Sequence, residues 1–170
     1  MRFAFWKKRD PEKLRVHCWN LMILAIDPDR CWKTASMFRS NGLPGSVLTC
    51  ETAYIMGSIT RKVIRDLSPR DSVMECVASA EKAYHQTFEE QSDEPMTEEM
   101  QSVYGQSTLA HVATTALAAY GRQDDELFMT ASTLAMRLKG DPRTKHEIID
   151  ILQDRRDFLE GLYRKLLDNA

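Results

Sequence analysis

The chain is poor in the residues on which most single-sequence functional assignments rest. Its seven glycines fall mostly where helices should end, which leaves no glycine-rich loop to cradle a phosphate. Gly42 and Gly45 enclose only Leu43-Pro44, without the Gly-Lys-Ser/Thr of a phosphate-binding loop and with no strand before it. Four cysteines, Cys18, Cys31, Cys50 and Cys76, stand 13, 19 and 26 residues apart and form no Cys-x-x-Cys pair. Each sits in a helical apolar pattern, so they read as buried free thiols in a reducing cytosol. No Gly-x-Ser-x-Gly elbow is present to carry a nucleophile. No apolar run approaches the length of a membrane span; residues 21–26 are far too few. The first fifteen residues are charged but lack the apolar stretch of a secretion signal, and a cytoplasmic protein is expected. A strong excess of one charge is missing too. The formal net charge of −2 argues against a surface built for non-specific nucleic-acid binding.

What is present is the composition of a folded domain. Hydrophobic residues make up 43% and charged residues 28%, far from a disordered profile. At 170 residues the chain can bury one sizeable core, and no Pro/Gly/Ser-rich linker divides it. The expected organisation is a basic-aromatic tail over residues 1–9 followed by a single helical domain over 10–170.

Three Asp-Pro pairs, at 10–11, 27–28 and 141–142, punctuate that domain. Asp can cap the free N–H groups of a helix, and Pro suits the first helical position, where no N–H is needed. A first helix to about Ala25 then carries two apolar stripes, Leu14, Cys18, Leu21, Met22 and Ala25 on one and Val16, Trp19, Ile23 and Ile26 on the other. A second helix turns Cys31, Trp32, Ala35 and Phe38 inward and stops near Asn41-Gly42. A third, capped by Ser46, runs to Leu67 with Leu48, Ile55, Met56, Ile59, Val63 and Leu67 at helical spacing. Ser68-Pro69 starts a fourth, with Val73, Val77, Ala80, Tyr84 and Phe88 on one face; it ends in an acidic loop over 89–95. A fifth opens at Thr97 and ends at Gly121, and a sixth carries Leu127, Ala131, Leu134 and Leu138. The seventh follows Pro142, with Ile148, Ile149, Leu152, Leu159, Leu162, Tyr163 and Leu166 on one side and Arg155, Arg156, Arg164 and Lys165 on the other.

The fold class expected is therefore all-α: a single-domain bundle of about seven helices. Residues 109–120 are apolar or small on nearly every side, so they are placed at its centre, with the first helix packed on them. A short α-solenoid of helical hairpins is the alternative, because residues 120–142 have the flavour of a tetratricopeptide unit. The spacings do not fit that repeat, and no second copy follows at a fixed period.

Sites of chemistry were sought in the same pattern. A Glu-x-x-His motif would put two metal ligands on one helix face; Glu81 and His85 are four apart and read as a solvated pair. His17 and Cys18 are adjacent, so on a helix they point different ways. Ala110-His111 begins the Ala-His-x-x-basic-Gly pattern of histidine phosphotransfer bundles, but Thr114 and Thr115 stand where the base and Gly belong. His111 is therefore expected to be a core histidine bonded to a neighbouring Thr or carbonyl. No catalytic residue, metal ligand or cofactor is assigned.

Function follows by elimination: a non-enzymatic helical protein-interaction module, an adaptor, regulator or inhibitor of a partner protein. Charge is segregated, with six basic against two acidic residues over 1–15 and six acidic residues over 89–99. The expected partner surface is Phe3, Phe5, Trp6, Lys7, Lys8 and Arg9, or the groove beside the acidic loop. Self-association through an apolar stripe of the last helix and peripheral membrane contact through the tail are lesser readings. The first alternative is a DNA-binding regulator, because helices two and three outline a helix-turn-helix; its recognition helix offers no base-reading Arg or Lys before Arg61, and Glu51 would face phosphate. A small helical enzyme or phosphotransfer domain is the second.

Overall fold

The computed structural model describes residues 9–38, 45–91, 134 and 142–170. Among them every regular element is a helix: α1 (Pro11–Ile26), α2 (Pro28–Ala35), α3 (Gly45–Leu67), α4 (Val73–Gln91) and α5 (Pro142–Asp168). The expected helix five, all of the expected helix six except the buried Leu134, the core setting of 109–120, His111 and the tail residues Phe3, Phe5, Trp6, Lys7 and Lys8 lie outside the described residues. So does the Asn41-Gly42 cap.

The first two Asp-Pro pairs work as their chemistry dictates. Asp10 accepts a hydrogen bond from the N–H of Glu12 at 2.9 Å, and Asp27 accepts one from the N–H of Arg30 at 3.0 Å. Each satisfies an N–H that the first helical turn leaves without a carbonyl. The Asp27 cap also lets α2 begin one residue after α1 ends.

α1 and α3 form the heart of the described structure, since each packs against all four of the other helices. The buried stripe of α1 is Leu14, Cys18, Leu21, Met22 and Ala25, joined by Ile26. Its second stripe is not buried as expected: Val16 and Ile23 are exposed and Trp19 is half-buried. Seven residues separate Val16 from Ile23, which puts both on the side of α1 that no described helix faces.

α3 carries Leu48, Ile55, Met56, Ile59, Val63 and Ile64 into the core. Two of its threonines, Thr52 and Thr60, are fully buried without strain on the polar balance. Each donates its hydroxyl to the carbonyl one turn back, Leu48 and Met56 respectively, at 2.7 Å. α3 begins at Gly45, which puts Ser46 inside its first turn.

α4 starts later than Ser68-Pro69 suggests. The N–H of Ser72 bonds to the carbonyl of Pro69, closing a turn, and the helical ladder begins with the N–H of Cys76 on the carbonyl of Ser72. Its innermost positions, Cys76, Ala80 and Ala83, are small and completely buried. Small side chains let two helix backbones approach closely. The approach to α1 is close enough for the Ser79 hydroxyl to donate directly to the backbone carbonyl of Arg15 at 2.8 Å.

α2 ends at Ala35 rather than near Asn41, its last turn tightened by N–H bonds from Met37 to Thr34 and from Phe38 to Ala35. Cys31, Ala35 and Phe38 point inward as expected, and Thr34 joins them, but Trp32 is 59% exposed. The stripe 31–34–35–38 fixes the inward direction, and Trp32 stands about 100° round the helix from Cys31. Apolar character had suggested burial where periodicity forbids it. α5 closes the described core with Ile148, Leu152, Leu159, Tyr163 and Leu167.

Candidate functional site

Where α1 ends and α2 turns away, the two helices diverge from α5 and leave a cleft of about 470 Å³. Leu24 and Ala25 of α1, Met56 of α3 and Leu159 of α5 supply its apolar surface. Arg30 and Lys33 of α2 face Arg155 of α5 across it, beside Asp27 and Asp29. Three cations stand against two carboxylates. Asp27 is already engaged as the cap of α2, so the charge left to meet a ligand is positive.

Arg155 is the distinctive group. It is half-buried, its Nη2 reaches only the thioether of Met37 at 3.4 Å, and its Nε is buried with no hydrogen-bond partner among the described residues. A guanidinium presents five donors in a planar fork suited to a carboxylate or phosphate. Leaving one of them buried and unbonded costs about 1–3 kcal/mol, a cost an incoming anion can relieve. Phe158 borders the same cleft at 51% exposure, Met37 is exposed beside Arg155, and the exposed Trp32 lies on α2 between Arg30 and Lys33 in sequence.

The sequence pointed elsewhere. Of the six expected partner residues only Arg9 is described, exposed and just outside the cap of α1. Arg155 had been assigned to the polar side of the last helix, which is where it emerges; what the pattern could not show is that α2 comes opposite. Phe158 signals the site as a large apolar residue out of phase with the stripe of its helix.

A second cluster is wholly internal. Cys18, Cys76 and Tyr163 all have no exposed surface. The Tyr163 hydroxyl lies 3.1 Å from the Cys18 sulfur and 2.7 Å from the Ser68 hydroxyl. Cys76, fully buried in the first turn of α4, interacts electrostatically with Cys18, Ser68 and Tyr163. The two thiols titrate as a pair. Interaction between the two thiols, with Ser68 and Tyr163 contributing, pulls Cys76 down and holds the proton on Cys18, whose pKa rises. Burial, reinforced by Cys18, raises Tyr163.

The remaining candidates are structural. His85 is exposed and 3.9 Å from Glu81, the solvated i,i+4 pair expected. Glu81 in turn pairs with Arg61 at 2.6 Å, and the Arg61 guanidinium lies over the Tyr84 ring at 4.4 Å. His17 is half-buried while Cys18 turns fully inward, as adjacent helical positions must. Glu51 is 5% exposed and does not reach toward a phosphate, and no residue of α3 from Leu48 to Ile64 is exposed. The most open face of this segment is the half-buried stripe of Cys50, Tyr54, Ser58 and Arg61.

Cys31 provides a pH prediction. Burial first, then the charges of Asp27 and Cys50, pushes its thiol up to about 12 from an ordinary 9.0. Between those values the unfolded chain releases a proton that the folded chain keeps, so stability falls as pH rises. The full contribution is present below pH 9, and the loss is complete above about 12. The expected slope from this group is roughly 1 kcal/mol per pH unit. Urea titrations at pH 9 to 11 of the wild type and of Cys31→Ala measure it: the variant should show the shallower decline.

No described helix is long and apolar enough to cross a membrane. Comparison with protein-family models, with curated proteins and with solved structures finds no match to this chain.

Proposed function

We propose that the chain is a non-enzymatic helical protein-interaction module that docks an acidic, amphipathic segment of a partner protein in the cleft between α2 and α5. The observation that carries this reading is Arg155, a half-buried guanidinium with an unbonded Nε beside an exposed Phe158. Arginine and aromatic residues are the commonest energetic anchors of protein interfaces. An apolar side chain of the partner would meet Leu24, Met56 and Leu159, and its carboxylates would meet Arg30, Lys33 and Arg155. Among the described residues that line it, no nucleophile is paired with a base: Thr34 is the one hydroxyl, and there is no His or Cys. That favours binding over chemistry. A cytoplasmic setting and a role as adaptor, regulator or inhibitor belong to the same proposal. So does the closed bundle of about seven helices around residues 109–120, which the sequence pattern alone supports. The tail over 1–9 is proposed as a secondary contact.

Peptide display against the full chain tests the docking site. Enriched peptides are expected to combine carboxylates with a bulky apolar residue, and Arg155→Glu is expected to weaken them at least about tenfold, the effect of losing one interface anchor. Enrichment of neutral or basic peptides, or affinities indifferent to Arg155→Glu in a folded variant, would remove the cleft as the site. A gel-shift assay at low salt tests the DNA-binding alternative separately, since phosphate contacts are strongest there.

A further inference from the structure

The internal cluster of Cys18, Cys76, Ser68 and Tyr163 does more than fill space. α1 and α4 are registered by the hydrogen bond from the Ser79 hydroxyl to the Arg15 carbonyl. One turn forward along α1 from Arg15 is Cys18, and one turn back along α4 from Ser79 is Cys76. The Tyr163 hydroxyl reaches both Cys18 and Ser68, so α1 runs from Arg15 toward the start of α4, the antiparallel sense in which those two positions meet. A disulfide needs the two Cα atoms within about 7 Å. The small inner face of α4, with Cys76, Ala80 and Ala83 fully buried, leaves the two backbones free to approach that closely. Ser68 and Tyr163 add hydroxyls that can stabilise a thiolate.

We propose that Cys18 and Cys76 are an oxidative modification site, a dithiol that hydrogen peroxide converts into a disulfide joining α1 to α4. Cys76 reacts first. It lies one turn inside α4, next to the exposed Arg70-Asp71 turn, so opening of that single turn admits a molecule as small as peroxide. The Cys76 sulfur attacks one peroxide oxygen, the O–O bond breaks, and the departing hydroxide takes the thiol proton to become water. The product is a sulfenic acid on Cys76. The Cys18 sulfur then attacks the Cys76 sulfur; the S–S bond forms, the S–O bond breaks, and the second hydroxide leaves as water with the Cys18 proton. Two thiols and one peroxide give one disulfide and two waters. Each sulfur is oxidised by one electron, and the peroxide oxygens are reduced.

The other two thiols are placed differently. Cys31 donates to the carbonyl of Ala25 at 3.5 Å and is buried away from this cluster, while Cys50 is half-exposed on α3. This contrast sets the test. The full chain, treated under native conditions with a small excess of hydrogen peroxide, is quenched with an alkylating reagent in denaturant and mapped by mass spectrometry. Expected are an intact mass lower by two hydrogens, a linked pair of peptides containing Cys18 and Cys76, and loss of alkylation at both. A thiol reductant should restore both. The double variant Cys31→Ala/Cys50→Ala should behave like the wild type, and Cys76→Ala should give no linked product. A linkage through Cys31 or Cys50 would overturn the proposal. So would full alkylation of Cys18 and Cys76 under conditions that oxidise Cys50. The mapping of the wild type and of the double variant decides the matter even if Cys76→Ala fails to fold.

Discussion

Replacing Tyr163 with alanine is expected to lower stability by about 3–5 kcal/mol, the range for removing a buried aromatic side chain. Tyr163 is the largest side chain of the core with no exposed surface, and it joins three parts of the structure. Its hydroxyl reaches Cys18 of α1 and Ser68 at the end of α3, while its ring belongs to α5. For a chain of this size such a loss lowers the thermal midpoint by roughly 10 °C or more. Tyr163→Phe separates the two contributions. It keeps the ring and removes only the hydroxyl, and Cys18, Cys76 and Ser68 can still bond among themselves. The expected cost is then about 0.5–1.5 kcal/mol. Thermal and urea unfolding of the two variants should therefore differ several-fold in effect. Equal losses would mean that the hydrogen-bond network, and not packing, holds α1, α3 and α5 together.

Gly57→Ala is the second large effect, and its sign is the informative part. Glycine in a helix interior costs about 1 kcal/mol relative to alanine, so the substitution should stabilise α3 if nothing else mattered. A Cβ at position 57 would, however, stand 2.6 Å from Cε2 and 2.9 Å from Cδ2 of Tyr84. The ring has little room to retreat. It is 6% exposed, holds an edge-on contact with Tyr54 at 6.4 Å, and has Arg61 stacked above it. Overpacking of this kind costs about 1–3 kcal/mol, which exceeds the gain in propensity. Gly57→Ala should thus be net destabilising and Gly57→Leu considerably more so. In a Tyr84→Ala background the clash disappears, and Gly57→Ala should become stabilising. Urea denaturation of the four-protein cycle measures that reversal directly. An unchanged sign would show that the close approach of Gly57 to Tyr84 is not what glycine provides here.

These two sites mark where reading the sequence succeeds and where it stops. Tyr163 was legible as a core residue because it falls in phase with Leu152, Leu159 and Leu166 on a long helix. That its hydroxyl would meet Cys18, far away in the chain, was not, since no local pattern encodes which helices become neighbours. Gly57 gave no signal, for an isolated helical glycine has no periodicity of its own. Cys18 and Cys76 were read correctly as buried free thiols, and that reading stopped short of their pairing. The cleft gave no local signal either, since Arg30 and Lys33 meet Arg155 only once α2 and α5 are packed. Trp32 was judged by its apolarity and sent inward, although the spacing of Cys31, Ala35 and Phe38 places it outside the stripe.

The sequence by itself determined the helical class of the described residues, the Asp caps that start α1 and α2, and the buried stripe of α1. All of these depend on interactions within a few residues: side-chain capping, the fixed φ of proline, and a helical repeat of apolar positions. Tertiary structure decided everything that needs two distant segments to meet. It set α1 and α3 against all the other described helices, placed the Tyr163 hydroxyl of α5 against Cys18 of α1 and Ser68, and brought Arg155 of α5 opposite Arg30 and Lys33 of α2. The physical reason is that a helix specifies which of its faces is apolar, while the partner for that face is chosen by packing among many faces of similar chemistry.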